Sequence, residues 1–149
     1  MTNKILVDTN VLAYAYDRTD LTKLTRAKAV LDALTQSGRG VLTAQILAEF
    51  FVVSTAKLTE PITQAEAFNS ILNYHLSWEV IDLTGMVVLE AARGVRDYQF
   101  SYWDSQLWAT ARMNQIPLIL SEDFNAGAVI EGVRFDNPFS MDFALDRLF

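Results

Sequence analysis

The chain has 149 residues, half of them hydrophobic and a fifth charged, which suits one globular domain with a sizeable core and excludes a disordered protein. It contains no cysteine and a single histidine, which excludes disulfides and thiolate metal sites and leaves little material for a zinc site or a serine triad. The formal net charge of −6 argues against broad electrostatic binding to nucleic acid, whose phosphates favour a basic face.

The first half of the chain alternates short apolar runs with helical patterns. Lys4-Ile5-Leu6-Val7 predicts a buried strand, because the run is short, apolar and rich in branched residues, and Asp8 ends it. Thr9 and Asn10 are then expected to turn the chain. The predicted elements that follow are helices over residues 11–16 and 21–36, a strand over 41–43 and a helix over 44–54.

The second half continues the same alternation. Thr63 and Glu66 have the spacing of a capping box, and Ser101 is expected to cap a later helix with Asp104 in its first turn. The predicted helices cover residues 63–74, 84–93 and 101–114, the strands cover 78–81, 117–120 and 133–135, and segments 94–100 and 121–127 connect them. Strands that alternate with helices predict an α/β domain with a central parallel sheet flanked by helices.

Four acidic residues stand where an α/β fold places its ligand sites. Asp8 directly follows the first strand, and Asp123 follows the apolar run 117–120 in the same way. Glu49 and Asp104 lie within otherwise apolar helical segments, and no neighbouring lysine or arginine obviously balances any of the four. Carboxylates that converged on one pocket would repel each other unless a divalent cation neutralised them. An oxygen-only ligand set of this kind suits Mg²⁺ or Mn²⁺.

The sequence resembles the PIN-domain ribonucleases and, among them, the VapC-like toxins of bacterial toxin–antitoxin pairs. The matching motifs are Val7-Asp8-Thr9-Asn10, Ala48-Glu49, Ser101-Tyr102-Trp103-Asp104-Ser105, Ser121-Glu122-Asp123-Phe124 and Asn137-Pro138-Phe139. Each motif is short, but their order and spacing are specific together, and they span about residues 4–139. The resemblance implies one PIN-like domain over residues 1–139, followed by a tail extension over 140–149.

The same resemblance implies an activity, a cofactor and partners. It implies a Mg²⁺-dependent endoribonuclease, with Mn²⁺ as a possible substitute, that forms a homodimer and is inhibited by a cognate antitoxin protein. The residues expected to bind the metal and to catalyse hydrolysis of the RNA are Asp8, Glu49, Asp104 and Asp123. The sequence shows no signal peptide and no apolar run of membrane-spanning length, so we expect a cytoplasmic protein without membrane contact.

Several roles stay open from the sequence. Glu122 stands beside Asp123 and is an alternative fourth ligand. The polar residues Thr9, Asn10 and Ser121 are candidates to hydrogen-bond the ligating carboxylates, or else to form turns and caps. The aromatic residues Tyr102, Trp103 and Trp108 either stack on bases or belong to the core, and Met141, Leu145, Leu148 and Phe149 are expected to line one helical face of the tail.

Two other functions compete with the nuclease. A PIN-like fold that only binds RNA or protein is the closer rival, and the presence of all four acids argues against it. A phosphoryl-receiver domain also has aspartates at strand ends, but it needs a well-placed lysine, and no lysine follows Lys57. Nucleic-acid binding by an acidic chain requires that its basic residues gather on one face, and Arg93, Arg96 and Arg112 flank Asp104 in sequence.

Overall fold

The computed structural model describes residues 2–149, and in this part of the chain strands and helices alternate as predicted. The strands are β1 (Ile5–Val7), β2 (Gly40–Thr43), β3 (Glu79–Ile81), β4 (Leu118–Leu120), β5 (Val129–Ile130) and β6 (Val133–Asp136). The helices are α1 (Thr9–Tyr14), α2 (Leu21–Ser37), α3 (Ala44–Val52), α4 (Gln64–Ser77), α5 (Gly85–Tyr98) and α6 (Tyr102–Met113). A π-helical turn, Val53–Lys57, extends α3, and a 3-10 turn, Leu145–Leu148, lies in the tail.

The strands form one six-stranded sheet in the order β3-β2-β1-β4-β6-β5. Every neighbouring pair is parallel except β5 and β6, which pair antiparallel at one edge. The predicted parallel sheet flanked by helices is therefore confirmed, and the antiparallel edge strand is an addition. That strand has only two residues, and it joins β6 through Glu131 and Gly132, both in left-handed backbone with φ of 48° and 83°. Glu-Gly is not among the dipeptides that mark such tight hairpins, so the sequence pattern did not predict it.

Polar side chains cap most of the helices and fix where they begin. The predicted capping box is present at α4, where Thr63 Oγ1 accepts from Glu66 N at 3.1 Å and Glu66 Oε1 accepts from Thr63 N at 3.4 Å. Ser101 caps α6 as expected, with its Oγ 3.2 Å from the backbone nitrogen of Asp104. Asp8 caps α1, so this helix begins at Thr9, two residues earlier than predicted, and the expected turn at Thr9 and Asn10 is wrong.

Helix α5 ends five residues later than predicted, because Gly94 does not end it. Gly94 is buried where α5 crosses α6, and a Cβ at this position would lie 2.8 Å from a ring carbon of Trp108 and would overlap Ser105. The Ser105 hydroxyl donates to the carbonyl of Ala91 at 2.6 Å across the same contact. Gly94 is therefore a helix-packing residue, and α5 ends only at Gln99, whose φ is 59°.

The core lies on both faces of the sheet, and β1 at its centre is completely buried. The tail packs on this core through Phe143 and through Leu145 and Leu148, which lie in the 3-10 turn. The expected α-helical face is therefore wrong. Met141 in particular is 99% exposed. Arg26 holds the tail by donating to the carbonyls of Pro138 and Phe143 at 3.1 and 3.3 Å, and Arg39 donates to the carbonyl of Leu148. Within residues 2–149, no helix is both long enough and apolar enough to cross a membrane.

Candidate active site

Asp8 lies at the carboxyl end of the central strand, and neighbouring elements fix its orientation. Its backbone nitrogen donates to the carbonyl of Leu120 at 3.0 Å, which ties the end of β1 to the end of β4. Its carboxylate accepts two hydrogen bonds, from the Thr9 backbone nitrogen at 2.7 Å and from the Ser121 hydroxyl at 2.7 Å. Both oxygens of this carboxylate are therefore held by groups that follow two adjacent strands.

Glu49 projects from α3, and its carboxylate is also held at both oxygens. Thr9 Oγ1 donates to Oε2 at 2.8 Å, and Gln45 Nε2 donates to Oε1 at 3.1 Å. Gln45 lies one helical turn before Glu49, where side chains at positions i and i+4 meet. The motifs did not single out Gln45, and this spacing is the sequence signal that would have identified it as a partner of Glu49.

Asp104 and Asp123 complete the set from the other side. Asp104 lies in the first turn of α6, where the N-terminal end of the helix dipole favours a negative charge. Asp123 lies in the loop after β4, and its carboxylate accepts from Asn10 Nδ2 at 3.1 Å. The Ser121 hydroxyl accepts from the Asp123 backbone nitrogen at 3.1 Å. The side chains of Thr9, Asn10 and Ser121 thus each hydrogen-bond the carboxylate of one of the acids, which is the first of the two roles that the sequence left open.

The side chains of the neighbours Glu122 and Asp123 have different surroundings. The Glu122 carboxylate forms an ion pair with Lys23 and accepts from the Tyr14 hydroxyl at 2.9 Å. Asp123 lines the cavity that contains the other acids, whereas Glu122 does not. Of the two alternatives left open by the sequence, Asp123 is therefore the one placed with Asp8, Glu49 and Asp104.

The four acids line one cavity of about 140 Å³ between α3, α6 and the strand ends. Its other lining residues are Thr43, Gln45, Ile46, Trp103, Gln106, Leu107 and Thr110. None of the ion pairs formed within residues 2–149 includes any of these four carboxylates. Four uncompensated negative charges therefore border the same small space.

The pKa values of two of the acids are raised, mainly by burial and to a smaller degree by the neighbouring acids. Burial raises the pKa of Asp8 to about 6; the hydrogen bonds from Ser121 and Thr9 oppose the rise, and the charges of Asp123 and Glu49 add to it. Burial also raises the pKa of Asp104, where the hydrogen bond to Ser101 opposes the rise and the charge of Asp123 adds to it. Asp8 and Asp104 thus share the repulsion from Asp123, although they lie on different elements.

The donor set fits a hard divalent cation. All four side chains offer carboxylate oxygens, the ligands that Mg²⁺ and Mn²⁺ prefer, and a cation would remove the repulsion between them. In the arrangement described for residues 2–149, no three acidic or histidine side chains converge closely enough to hold an ion between them. The acids therefore border a common cavity without forming a closed cage.

The arginines that flank Asp104 in sequence do not form a free basic face. Arg93 and Arg112 both bind Glu131, with nitrogen–oxygen distances of 2.8 and 3.2 Å. Arg96 pairs with Asp97 at 2.7 Å. Each of these positive charges is matched by a carboxylate. The structure therefore does not support a joint role of the three arginines in attracting a nucleic acid.

The three aromatic candidates differ in burial and in their position relative to the acidic cavity. Trp108 is completely buried, and its indole nitrogen donates to the carbonyl of Ile130 at 3.1 Å, so it is a core residue. Tyr102 is half-buried and packs against the core. Trp103 is exposed and lines the acidic cavity. The cavity also contains Gln106, a residue that the motifs did not single out because it lies within an apolar helix pattern.

Comparison with known proteins identifies the fold. A family model described as PIN domain matches residues 5–129. The fold is similar to that of VapC20 from Mycobacterium tuberculosis, described as a Sarcin-Ricin loop cleaving toxin, with a TM-score of 0.64, 19% identity, and coverage of 88% of this chain and 99% of that one. A toxin–antitoxin complex from Klebsiella pneumoniae matches with a TM-score of 0.62 and 16% identity, over 91% of this chain and 98% of that one. DNA-bound VapBC from Salmonella typhimurium matches with a TM-score of 0.61 and 14% identity, over 91% of this chain and 98% of that one. No curated protein sequence matches significantly.

Proposed function

Since the chain belongs to the PIN-domain family, we propose that it is a metal-dependent endoribonuclease and the toxin of a VapBC-like toxin–antitoxin pair. Family membership and the similarity of its fold to VapC toxins support a nuclease. The observation that carries the proposal is the cavity that Asp8, Glu49, Asp104 and Asp123 line from separate elements, with no lysine or arginine among its lining residues. Each of these acids is assigned to the metal site.

Asp8, Glu49, Asp104 and Asp123 would hold one or two Mg²⁺ ions, with Mn²⁺ as a substitute. When bound, the metal supplies a water of lowered pKa near neutral pH and neutralises charge on the scissile phosphate. The rest of the chemistry belongs to the protein. A carboxylate of the set orients the attacking water by accepting its hydrogen bond.

The partners of the acids prepare the site before substrate arrives. Ser121 holds one oxygen of Asp8, and Thr9 and Gln45 hold both oxygens of Glu49. Asn10 holds Asp123, which comes from a loop and would otherwise be free to turn away. Carboxylates fixed in this way need little reorganisation when they bind a cation, and such outer partners typically contribute 10- to 100-fold in metal affinity or activity.

Incubation of the purified protein with total cellular RNA tests the proposal. We expect defined fragments with Mg²⁺ or Mn²⁺ and intact RNA in EDTA, because the site has only oxygen ligands. Expression in bacteria without an antitoxin is also expected to arrest growth, and Asp8→Asn is expected to abolish the arrest. Cleavage that persists in EDTA would exclude the metal mechanism, and normal growth at high soluble yield would count against the toxin assignment.

A second protein chain is part of the proposal. Helix α4 leaves Phe68, Leu72 and Leu76 exposed, and their spacing of four residues places them on one face. An exposed apolar stripe of this kind on a small domain marks a contact surface for another chain. It supports the assembly into a homodimer and with a cognate antitoxin that the toxin assignment requires.

The antitoxin is expected to inhibit by placing an arginine in the acidic cavity. A guanidinium pairs with carboxylates through short, charge-assisted hydrogen bonds, and it would take the place of the metal. Replacement of that arginine by alanine should weaken inhibition in the RNA cleavage assay. A structure of the complex in which all four acids stay open to solvent would contradict this mode of inhibition.

One observation favours a second candidate, a PIN-like module that binds without catalysis. No three acids within the described residues 2–149 converge on a point that would hold an ion. The RNA incubation separates the two, since a binding module retains RNA without cutting it under any metal condition. A phosphoryl receiver lacks support, because none of the residues that line the acidic cavity is a lysine.

A further inference from the structure

Trp103 differs from the other two tryptophans of the chain by its exposure. Trp78 and Trp108 are 7% and 0% exposed, whereas Trp103 is 62% exposed and lines the acidic cavity beside Asp104. A single exposed apolar side chain is common on protein surfaces and does not by itself indicate a binding site. A second feature of the same cavity supports a binding role for Trp103.

That second feature is the side-chain amide of Gln106. The residue is only 6% exposed, and its amide forms no hydrogen bond within residues 2–149. No enclosed side-chain nitrogen or oxygen in the described part of the chain lacks a partner, so the Gln106 amide must retain access to solvent. The cavity that Gln106 lines provides this access. Gln45, the other glutamine of the cavity, uses its amide nitrogen to hold Glu49. Gln106 therefore presents an unused donor and acceptor to the cavity.

Trp103 and Gln106 are neighbours on one face of α6. Side chains three residues apart on a helix meet on its surface, and both of these border the cavity. An aromatic face next to an amide that both donates and accepts is the combination that recognises an unpaired base. The ring stacks on the base, and the amide pairs with the hydrogen-bonding edge.

We propose that Trp103 and Gln106 form a subsite for one unpaired nucleobase next to the scissile phosphate. Trp103 stacks on the base, and Gln106 hydrogen-bonds to its edge. This inference rests on the proposed ribonuclease function and adds the class of substrate, which is RNA with an unstacked base at the cleavage point. Both are specificity-determining residues and do not act on the reacting phosphate.

The subsite also explains how an acidic protein holds RNA. The net charge is −6, and Arg93, Arg96 and Arg112 are each paired with carboxylates. These three arginines therefore add little free positive charge for RNA binding. Stacking does not depend on phosphate charge and contributes roughly a tenfold or larger increase in affinity per base. Binding through Trp103 should consequently change little with salt.

Tryptophan fluorescence tests the stacking directly, because Trp103 is the one exposed tryptophan of the three. The protein is titrated in Mg²⁺ with single-stranded 2′-O-methyl oligoadenylate and, as a control, with an abasic oligomer that has the same number of phosphates. We expect strong quenching by the first and little by the second. Equal quenching by both, or none by either, would overturn the proposal.

Substitutions then separate stacking from charge and from structure. Trp103→Ala is expected to raise the Kd for oligoadenylate roughly tenfold, with an unchanged slope of log K against log salt. Trp103→Phe, which keeps a ring, should restore most of the affinity. Phe149→Ala, which removes a half-exposed aromatic ring outside the cavity, is the control and should have no effect. Unchanged affinity in Trp103→Ala would contradict stacking, and a lower salt slope would indicate a phosphate contact instead.

Gln106→Leu tests the hydrogen bond with a side chain of similar size. Because the amide has no protein partner, thermal stability should stay equal or rise, while the preference for one base over another in a homopolymer series falls several-fold. A loss of stability without loss of base preference would mean that Gln106 is structural.

The subsite and the nuclease function can be rejected independently of each other. If the wild type cuts RNA with Mg²⁺ and Trp103→Ala cuts it with unchanged KM, the subsite is wrong and the nuclease stands. If the wild type never cuts RNA but shows base-dependent quenching, the subsite stands and the nuclease is wrong.

Discussion

Two clusters of charged side chains contact helix α6, and they differ in whether each carboxylate meets a cation. In the cavity at the start of the helix, Asp8 and Asp104 have raised pKa values because burial and neighbouring acids disfavour their charge. In the cluster further along, a hydrogen bond from Arg96 lowers the pKa of Asp97. Hydrogen bonds from Tyr98 and then Arg93 lower the pKa of Glu131 in the same way.

The two clusters have opposite energetic meanings. The arginine–carboxylate cluster joins α5, α6 and the β5–β6 turn, and all its charges are matched within the protein. It is therefore complete as it stands and serves the fold. The acids of the cavity have no cationic partner within residues 2–149, and strongly perturbed acids in a cleft indicate a candidate functional site.

The largest contrast is expected in catalysis. Asp8→Asn or Asp104→Asn should lower Mg²⁺-dependent RNA cleavage by roughly a hundredfold or more, since even the outer partners of metal ligands contribute about 10- to 100-fold. Asp97→Asn changes an acid of the other cluster by the same chemistry and should leave the rate unchanged. Initial rates with Mg²⁺ measure the three variants side by side. Full activity in both Asp8→Asn and Asp104→Asn would show that the site is elsewhere.

A smaller effect is expected from the hydroxyl that links two acids. The Ser121 hydroxyl donates to the Asp8 carboxylate and accepts from the backbone nitrogen of Asp123. Ser121→Ala removes both hydrogen bonds, so Asp8 and Asp123 should be held less firmly. We expect a fall of about 10- to 100-fold in activity or in the apparent affinity for Mg²⁺, measured by titrating the metal in the cleavage assay. Ser140→Ala, which removes a hydroxyl that contacts only the tail, is the matched control. Equal effects of the two substitutions would mean that Ser121 has no special role.

The clusters should also respond differently to metal in a stability measurement. Mg²⁺ at a hundredfold excess over its Kd should stabilise the wild type by about 2.7 kcal/mol, because it binds the folded state alone. Asp104→Asn should gain much less, and Asp97→Asn should gain as much as the wild type. Thermal melts with Mg²⁺ and with EDTA measure the three shifts. If Asp104→Asn gained the full shift, the ion would bind outside the cavity.

The smallest effect is the pH dependence of the metal-free protein. The pKa of Asp8 is raised from 3.8 to about 6, so the folded state holds this proton more tightly than the unfolded chain. Stability from this group is present below pH 4 and is lost as pH rises through about 6. In EDTA at pH 7–8, Asp8→Asn should therefore be more stable than the wild type by roughly 1–2 kcal/mol, and the gap should close towards pH 4.

In the arginine–carboxylate cluster, the same kind of substitution is expected to change stability in the opposite direction. The pKa of Asp97 is lowered, so its charge favours the folded state at neutral pH. Asp97→Asn should be equally stable or slightly less stable than the wild type at pH 7–8, and never more stable. Chemical unfolding of the two variants and the wild type across pH measures both signs. A destabilised Asp8→Asn at pH 7–8 would mean that Asp8 acts mainly as the cap of α1.

The sequence predicted the sheet, most helices and the set of acids, because these depend on local patterns. Apolar runs that end in Asp8 and near Asp123 indicate strand ends, and Ser101 and Thr63 indicate helix starts. Such features involve residues within one turn or one strand of each other. The resemblance in motif order then identified the family, which the match over residues 5–129 confirms.

What the sequence did not predict depends on contacts between distant segments. Glu122 turns away from the cavity because it pairs with Lys23, which lies 99 residues earlier in the chain. Gly94 continues its helix because Trp108 leaves no room for a side chain there. The open amide of Gln106 depends on which groups of other elements fail to reach it. None of these relations has a local pattern from which it can be recognised.

The central claim is that the four acids of the cavity bind a divalent cation, and a crystal structure with Mn²⁺ tests it most directly. The anomalous scattering of Mn²⁺ locates the ion without reference to activity. We expect a peak in the cavity, at direct coordination distance from carboxylate oxygens of Asp8 and Asp104 and in contact, directly or through water, with Glu49 and Asp123. A cavity without a peak in crystals soaked at saturating Mn²⁺, or a peak at Asp97 and Glu131 instead, would contradict the account.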